Sequence, residues 1–514
     1  MLVGAETRLP CRKVMTQKIL PIVEARLDEK IRRKVQGLAE LTGVTIISDG
    51  WTNVSHKPII NCLVSLPLGS YFIAAQDTSG ATKDATYIKD FIVKHIQGFG
   101  SEHVVAVCMD GACTASFPLI AAECPHVFSF ICPAHSLDCF MKNVCSDKGK
   151  VRVKGLTDRE FDWGEPFLAK MVEQVREVVS FITAHQKTLA RYRALCQVVT
   201  ESERPVGGME LLKACETRFA STLLMLMRYK NVHFVLERLM IDPVYNQWVD
   251  GQSRDRRDKA QAVKRIIRSD DIMDTIKVAI QIMEPVYRLL RLCDGKLGAN
   301  LGKVYGYMLQ IDTHLRTGIA ALDARKRHKI HELLMARWEY FHAPVMTAAY
   351  CLEPEYCRRK FSSQELKELK ACLKQMATRD HSYPDILADL ADFQEACTSG
   401  LFDLTDDVAF SNRAKTMASY KWANVYLSHW PHLKWAACRL LALSCSASGC
   451  ERSWSVEDWI HSKKRNRLGQ TTVERLVRCH TNLVLEDLLK DWESHVLPWE
   501  LEMVVEEPED ENDC

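Results

Sequence analysis

TIISDGWT, residues 45–52, decides how the fold is read. An apolar run over 44–47 delivers one carboxylate, Asp49, to a point where Gly50 lets the chain turn. That is the pattern of a short buried strand presenting an acid at its end. A second run, HVVAVCMDGA (103–112), does the same with Asp110. Strand-end acids on neighbouring strands suit a metal site, because the sheet holds them rigidly. An Asp followed by Gly also makes an ordinary turn. The pair alone leaves both readings open.

Outward from these two strands the pattern is mixed. Residues 58–66 and 70–78 are β-rich runs joined by Pro67, Leu68 and Gly69, the spacing of a hairpin. Residues 14–40 place Ile19, Ile22, Val23, Leu27 and Ile31 at helical spacing among charges. Residues 83–97 switch to a helical period, with Tyr87, Ile88, Phe91, Ile92 and Ile96, and Gly98 and Gly100 stop that helix. A helix near 114–123, a strand at 127–132 and a helix at 132–144 follow. The expectation is a mixed α/β sheet with crossover helices. From about 160 to 445 long helical patterns dominate, at 165–198, 209–240, 259–293, 301–342 and 363–396. Two further helices are expected at 451–466 and 472–490, and the acidic tail 506–514 is expected to be disordered. No fixed-period repeat is evident.

The totals exclude several classes. A chain of 514 residues, 47% apolar and 26% charged, is an ordinary soluble globular composition. A net charge of +2 confines any nucleic-acid surface to a local patch. Twenty cysteines in this length fall below the density of a disulfide scaffold and read as reduced thiols of cytosol or nucleus. No secretory h-region opens the sequence, and no run approaches the roughly 18 apolar residues of a membrane span. No membrane partner is expected.

Four stretches carry candidate chemistry. Asp49 and Asp110 offer hard oxygen ligands for the Mg²⁺ ions that phosphodiester chemistry uses, commonly two. CPAH (132–135) offers half a zinc site, but no second pair stands at matching spacing, so structural zinc is not expected. A supporting or packing role is the expectation for Cys132 and His135. In ASGCERSWSVEDWIHSKKRNRLG (447–469), Glu451 falls in the first turns of a helix, with Trp454, Ser455 and Asp458 on the same face and Glu457 adjacent. Position does not choose among these acids. The run Lys463, Lys464, Arg465 and Arg467 suits phosphates, a nuclear signal or a solvated helix end. In CETRFAST (215–222), Arg218 and Phe219 pair a cation with an aromatic, as for gripping a phosphate and stacking a base, or as a surface Arg beside a core Phe.

Together these stretches resemble the hAT superfamily of DNA transposases, in particular the branch whose N-terminal half is a conserved domain of unknown function. DGWTN (49–53), PIIN (58–61), the 77–83 region, YI (87–88), MDGA (109–112), CPAH (132–135) and TRFAS (217–221) stand in the family order. RWEYFHAPVMTAAYCLEPEY (337–356) resembles the family helix ending in a leucine–Asn/Glu–proline motif. SASGCERSWS, IHSKKRNRL (460–468) and LVRCHTNLVL (476–485) resemble the C-terminal hAT dimerisation region.

The resemblance implies an α/β fold with a large all-α insertion: a ribonuclease H-like mixed sheet interrupted by a helical domain. The boundaries it suggests are 1–43 for a helical lead-in, 44–159 for the first part of the core and 160–444 for the insertion. Residues 445–495 would hold the C-terminal part of the core with the dimerisation region, and 496–514 the tail. It makes Asp49, Asp110 and Glu451 a catalytic and metal-binding triad for two Mg²⁺ or Mn²⁺ ions, cleaving and transferring DNA strands. DNA and a second copy of the chain are the implied partners, with no small-molecule substrate. The nucleus is the implied location, or the cytoplasm for a truncated remnant. Arg218 and Phe219 stand where the family usually has Arg-Trp near the cleaved DNA end. Gly111 replaces a common Asn, and the BED-type zinc finger that normally precedes this region is absent from the sequence. A domesticated or degenerate dimerisation module without activity is the alternative.

Overall fold

The apolar run that opens the first strand is continuous because that strand is covered on both faces, leaving no polar side to alternate with. The computed structural model describes residues 10–53, 55–146, 150–152, 160–162, 167–205, 207–215, 219–295, 301–399, 408–410, 417–461 and 468–490. Its first unit spans Met1–Ser136, Leu289–Gln310 and Phe341–Lys490. Within it lie β1 (Val44–Thr52), β2 (Pro58–Leu66), β3 (Gly69–Asp77), β4 (Val104–Met109) and β5 (Phe128–Ile131). They form one sheet in the order β3-β2-β1-β4-β5. β1, β2 and β3 run antiparallel, while β4 pairs parallel with β1 and with β5. The mixed α/β sheet expected from the sequence is therefore present.

Among the described residues, the helices that serve the site are α1 (Leu20–Thr42), α2 (Ala85–Phe99), α3 (Phe117–Glu123), α4 (Pro133–Val144, of which the part up to Ser136 belongs to this unit), α5 (Ser448–Ile460) and α6 (Gln470–Lys490). Leu27, Ile31, Val35 and Ala39 recur at helical spacing along α1 and are buried. They join Ile46, Ile60, Val64, Val107 and Met109 of the sheet and Ile88, Ile92 and Ile96 of α2 in one core. Gly43 ends α1 with a φ of 62°. A Cβ there would lie 2.2 Å from Val105 Cγ2, so only glycine lets α1 run straight into β1. The other face of β1 is covered by α5, where a Cβ on Gly449 would come within 2.9 Å of Ile47 Cδ1.

One expectation is corrected here. β1 does not end at Asp49, and Gly50 does not turn. The strand runs on to Thr52, held by its antiparallel register with β2 from Thr45↔Ser65 to Thr52↔Pro58. What ends near Asp49 is the parallel pairing with β4, whose last partners are Ser48↔Met109.

The second unit spans, over its described residues, Leu137–Arg288 and Ile311–Tyr340. It is helical apart from the antiparallel pair Lys150–Arg152 and Glu160–Asp162. Helices Phe167–Ala184, Gln186–Gln197, Ser221–Ile241, Pro243–Asp250 and Arg254–Ile267 pack around buried Val175, Val178, Leu226, Val232, Leu236 and Val263. Asp242 accepts the Tyr245 N–H at the start of its helix and pairs with Arg191. The run expected at 209–240 is helical only from Ser221. The expected 301–342 helix is two, Leu301–Thr317 and Ala324–Phe341, the second opened by Asp323 accepting the Lys326 N–H. No helix among the described residues is long and apolar enough to cross a membrane. The acidic tail lies outside the described residues.

Candidate functional site

Parallel pairing puts Ser48 beside Met109, so the next residues, Asp49 within β1 and Asp110 just past β4, stand where that pairing ends. Neighbouring strands lie about 4.8 Å apart, close enough for two carboxylates to repel strongly. Asp49 Oδ1 accepts the Gly50 N–H at 2.7 Å, and its own N–H donates to Asn61 Oδ1 at 3.2 Å. Asp110 accepts the Gly111 N–H and lies 3.4 Å from His135 Nε2. Burial, then the charge of Asp110, pushes the Asp49 carboxyl up to about 7.

The third acid comes from the far end of the chain. Burial, then the charge of Asp49, pushes Glu451 up to about 8, with His135 pulling weakly the other way. The structure thus brings Asp49 into electrostatic contact with both Asp110 and Glu451. The rival acids of α5 point elsewhere. Glu457 is buried and accepts from Asn53 Nδ2 at 3.4 Å, and Asp458 is exposed.

Three ties fasten α5 over the end of β1. Asn61 is fully buried; its Nδ2 donates to Ser453 Oγ at 2.9 Å and to the Cys450 carbonyl at 3.4 Å. Its Oδ1 receives the Asp49 N–H, so one side chain couples Asp49 to the helix that carries Glu451. Asn53 reaches Glu457, and Trp51 stacks on Trp454 with ring centroids 5.4 Å apart and an interplanar angle of 25°. The tryptophans of the DGWT and CERSWS blocks are therefore partners.

Cys132 seals the start of α5 from the β5 side. Its buried Sγ accepts the Ala447 N–H at 3.3 Å and lies 3.8 Å from Ser446 Oγ. The Cys108 thiol, against the cost of burial, and the Ala447 and His135 N–H groups bring the Cys132 thiol down to about 6. Cys132 holds α5 in place, whereas His135 addresses Asp110 directly.

Sequence reasoning missed two contributors. Asn61 lay in a quoted motif, PIIN, yet a buried amide at a strand position carries no local sign of its distant partner. Lys83 donates to the Ile59 carbonyl at 3.2 Å and lies within the field of Asp49; burial pulls its ammonium down. Phe219 sits partly buried in the turn before Ser221–Ile241, in the second unit. Arg218, Lys463, Lys464, Arg465 and Arg467 lie outside the described residues.

The donor chemistry fits a hard divalent cation: oxygen ligands, fixed by a sheet and a helix, whose repulsion a cation would relieve. The side chains are not drawn into a finished cage. Among the described residues no three His, Cys, Asp or Glu side chains are grouped closely enough to hold an ion. A cleft of about 670 Å³ opens elsewhere in this unit, between α1, α2, β2, β3 and α6, and none of the three acids lines it.

Two family models match the chain. Residues 10–178 match a domain of unknown function (DUF659), and residues 402–483 match the hAT family C-terminal dimerisation region. Both matches fit an hAT-family transposase-like protein. No curated protein matches the chain. In this hAT-like chain the first match carries Asp49 and Asp110, and the second carries Glu451 with all of α5 and most of α6.

Proposed function

We propose that this hAT-like chain cleaves and transfers DNA strands, with Asp49, Asp110 and Glu451 as the metal ligands of a ribonuclease H-like core. The observation that carries the reading is the electrostatic state of Asp49. It is crowded by one acid from the adjacent strand and another from the C-terminal helix. A structural role gives no reason to set one acid on each side of Asp49 without a cation. Mg²⁺ or Mn²⁺ bound there would supply Lewis-acid stabilisation of the attacking and leaving oxygens. The chain's own residues do the positioning. Asn61 fixes Asp49 relative to α5, Cys132 fixes the start of α5, and His135 orients Asp110. The helical second unit corresponds in this reading to the insertion, and Phe219 to the aromatic beside the DNA end. Incubation of the purified chain with supercoiled plasmid and Mn²⁺ tests the proposal. Nicking lost in Asp49→Asn and Glu451→Gln supports it, and a wild-type chain that nicks no DNA with either metal sinks it.

A second reading, a nuclear dimerisation module without activity, has its own observation. Within the matched dimerisation region, Trp459 is 64% exposed and Leu483 44%. Trp459 packs on His480 at 5.7 Å, and exposed Leu483 lies one turn beyond on α6. This apolar patch fits a second copy of the chain. Sedimentation of wild type against Trp459→Glu tests it: a dimer converted to monomer supports the surface, and an unchanged mass excludes it.

A further inference from the structure

The helix Arg254–Ile267 of the second unit is split into two faces. Ala260, Val263, Ile266 and Ile267 are buried against the helices around it. Over 254–268 the segment carries seven cations, Arg254, Arg256, Arg257, Lys259, Lys264, Arg265 and Arg268, against two acids, Asp255 and Asp258. That local excess of five exceeds the net charge of the whole chain, +2. At 100° per residue, Arg254, Arg257, Arg265 and Arg268 fall on the side opposite the buried residues, with Lys264 at its margin and one acid, Asp258, among them. Gln261 shares that stripe. All are exposed except the half-buried Lys264.

The pairing of these cations sets them apart. Elsewhere in this unit Arg191 pairs with Asp242, Arg193 with Glu210, Lys277 with Asp274, Arg288 with Glu284 and Arg316 with Asp312. Among the described residues none of the seven forms an ion pair. Their hydrogen bonds go to neutral groups: Arg256 to Gln252, Arg257 to the Asp250 and Gln252 carbonyls, and Arg265 to the Gln261 carbonyl. Like charges held together on one helix in excess of its acids destabilise it. A polyanion laid along the stripe would remove that repulsion.

From these observations we infer that the outer face of Arg254–Ile267 is a binding surface for the phosphate backbone of duplex DNA. The stripe from Arg254 to Arg268 is about 21 Å long at 1.5 Å per residue. One DNA strand presents a phosphate about every 3.4 Å along the axis, so the stripe spans roughly six phosphates. Contacts of this kind read no sequence; they hold the duplex while other residues act on it. The inference rests on the reading of the chain as one that acts on DNA, but it does not require catalysis.

The test is fluorescence anisotropy of a labelled 30-base-pair duplex of arbitrary sequence, titrated with full-length chain over a range of salt. Two variants are compared with wild type. One replaces Arg254, Arg257, Lys264, Arg265 and Arg268 by Gln; the other replaces the four arginines by Lys. Since each neutralised phosphate contributes about 0.9 to the salt slope, the Gln variant, with five cations removed, should lose up to about 4.5 of that slope and tenfold or more in affinity. The Lys variant should bind like wild type. The apolar face is untouched, so the Lys variant should melt with wild type and the Gln variant, relieved of the repulsion, at or slightly above it. Wild-type chain that ignores the duplex, or a Gln variant that binds it unchanged, overturns the inference. So does a Gln variant that loses binding to poly-glutamate while keeping DNA, which would assign the stripe to an acidic protein. Stripe-dependent binding without plasmid nicking would overturn the catalytic reading alone.

Discussion

Two carboxylates of the sheet unit lie against partners far away in sequence, and they meet opposite fates. Glu486 of α6 lies under the edge of the sheet with its side chain 5% exposed. Burial pushes its carboxyl up, but hydrogen bonds from Lys30, Lys34 and Tyr71 outweigh that and hold it below the usual range. Glu451 of α5 is pushed up to about 8 because burial and Asp49 act in the same direction. One acid is placed where the fold supplies cations, and the other where the fold supplies more acids. The first arrangement stabilises α1, α6 and β3 as a unit. The second costs stability, and such costs concentrate at functional sites.

The comparison breaks first on activity. Asp49→Asn or Glu451→Gln should lower Mn²⁺-dependent nicking by about 10³-fold or more, the size of several kcal/mol of lost charge stabilisation. Glu486→Gln should leave it within a few-fold in the same plasmid assay. Equal losses in all three would erase the distinction.

Stability should reverse the order. Glu486→Ala removes the acceptor of two lysines and of Tyr71 Oη. Both lysines reach solvent and can rehydrate, so the expected cost is about 2 kcal/mol in urea unfolding rather than the full penalty of a buried broken pair. Glu451→Gln should instead stabilise the chain at pH 8, on the order of 2 kcal/mol, and have no effect near pH 4.

The pH profile sharpens the same point. A carboxyl raised from 4.5 to about 8 binds its proton more tightly in the folded state. Its contribution is intact below about 4.5 and is lost as pH rises towards 8. Glu486, lowered below 4.5, has the opposite sign: its contribution is present above that value and is lost as pH falls through the folded pKa. Thermal melts from pH 4 to 9 should fall on the alkaline side for wild type and flatten in Glu451→Gln. Adding Mg²⁺ at pH 8 should restore the midpoint only when both Asp49 and Glu451 are present.

The smallest expected effect is the Trp51–Trp454 stack, which joins the two motif blocks. A double-mutant cycle to Ala should give a coupling of about 1 kcal/mol. Simple additivity would show that α5 is held by Asn61, Asn53 and Cys132 without the stack.

Much of the sheet is legible in the sequence because buried strands and amphipathic helices leave a period. The run 104–109 and the hairpin of 58–66 with 70–78 have close counterparts in β4, β2 and β3. Asp49 was visible as an acid after an apolar run, but not that β1 continues past it, since that depends on pairing with β2. Glu451 was not separable from Glu457 and Asp458 by position. The difference is which of them faces Asp49, a contact across 402 residues of chain. Breaks within the long helices hid in weaker signals, such as Asp323 capping Ala324–Phe341. The ties made by Asn61 and Asn53 have no local signature, because an amide declares its partner only once the chain has closed.

One bond pair on β3 has a wider consequence. β3 is the outer strand of the sheet, and Asn482 of α6 receives the Phe72 N–H at 2.8 Å while donating to the Phe72 carbonyl at 3.1 Å. Glu474 accepts the Ala75 N–H of the same strand. A side chain thus imitates the next strand, and the sheet cannot grow at this edge by adding a stranger's backbone. Copies of this chain that meet at this edge must do so through side chains. A version ending before Gln470 would leave β3 bare, and light scattering of such a truncation should show chains polymerising edge to edge.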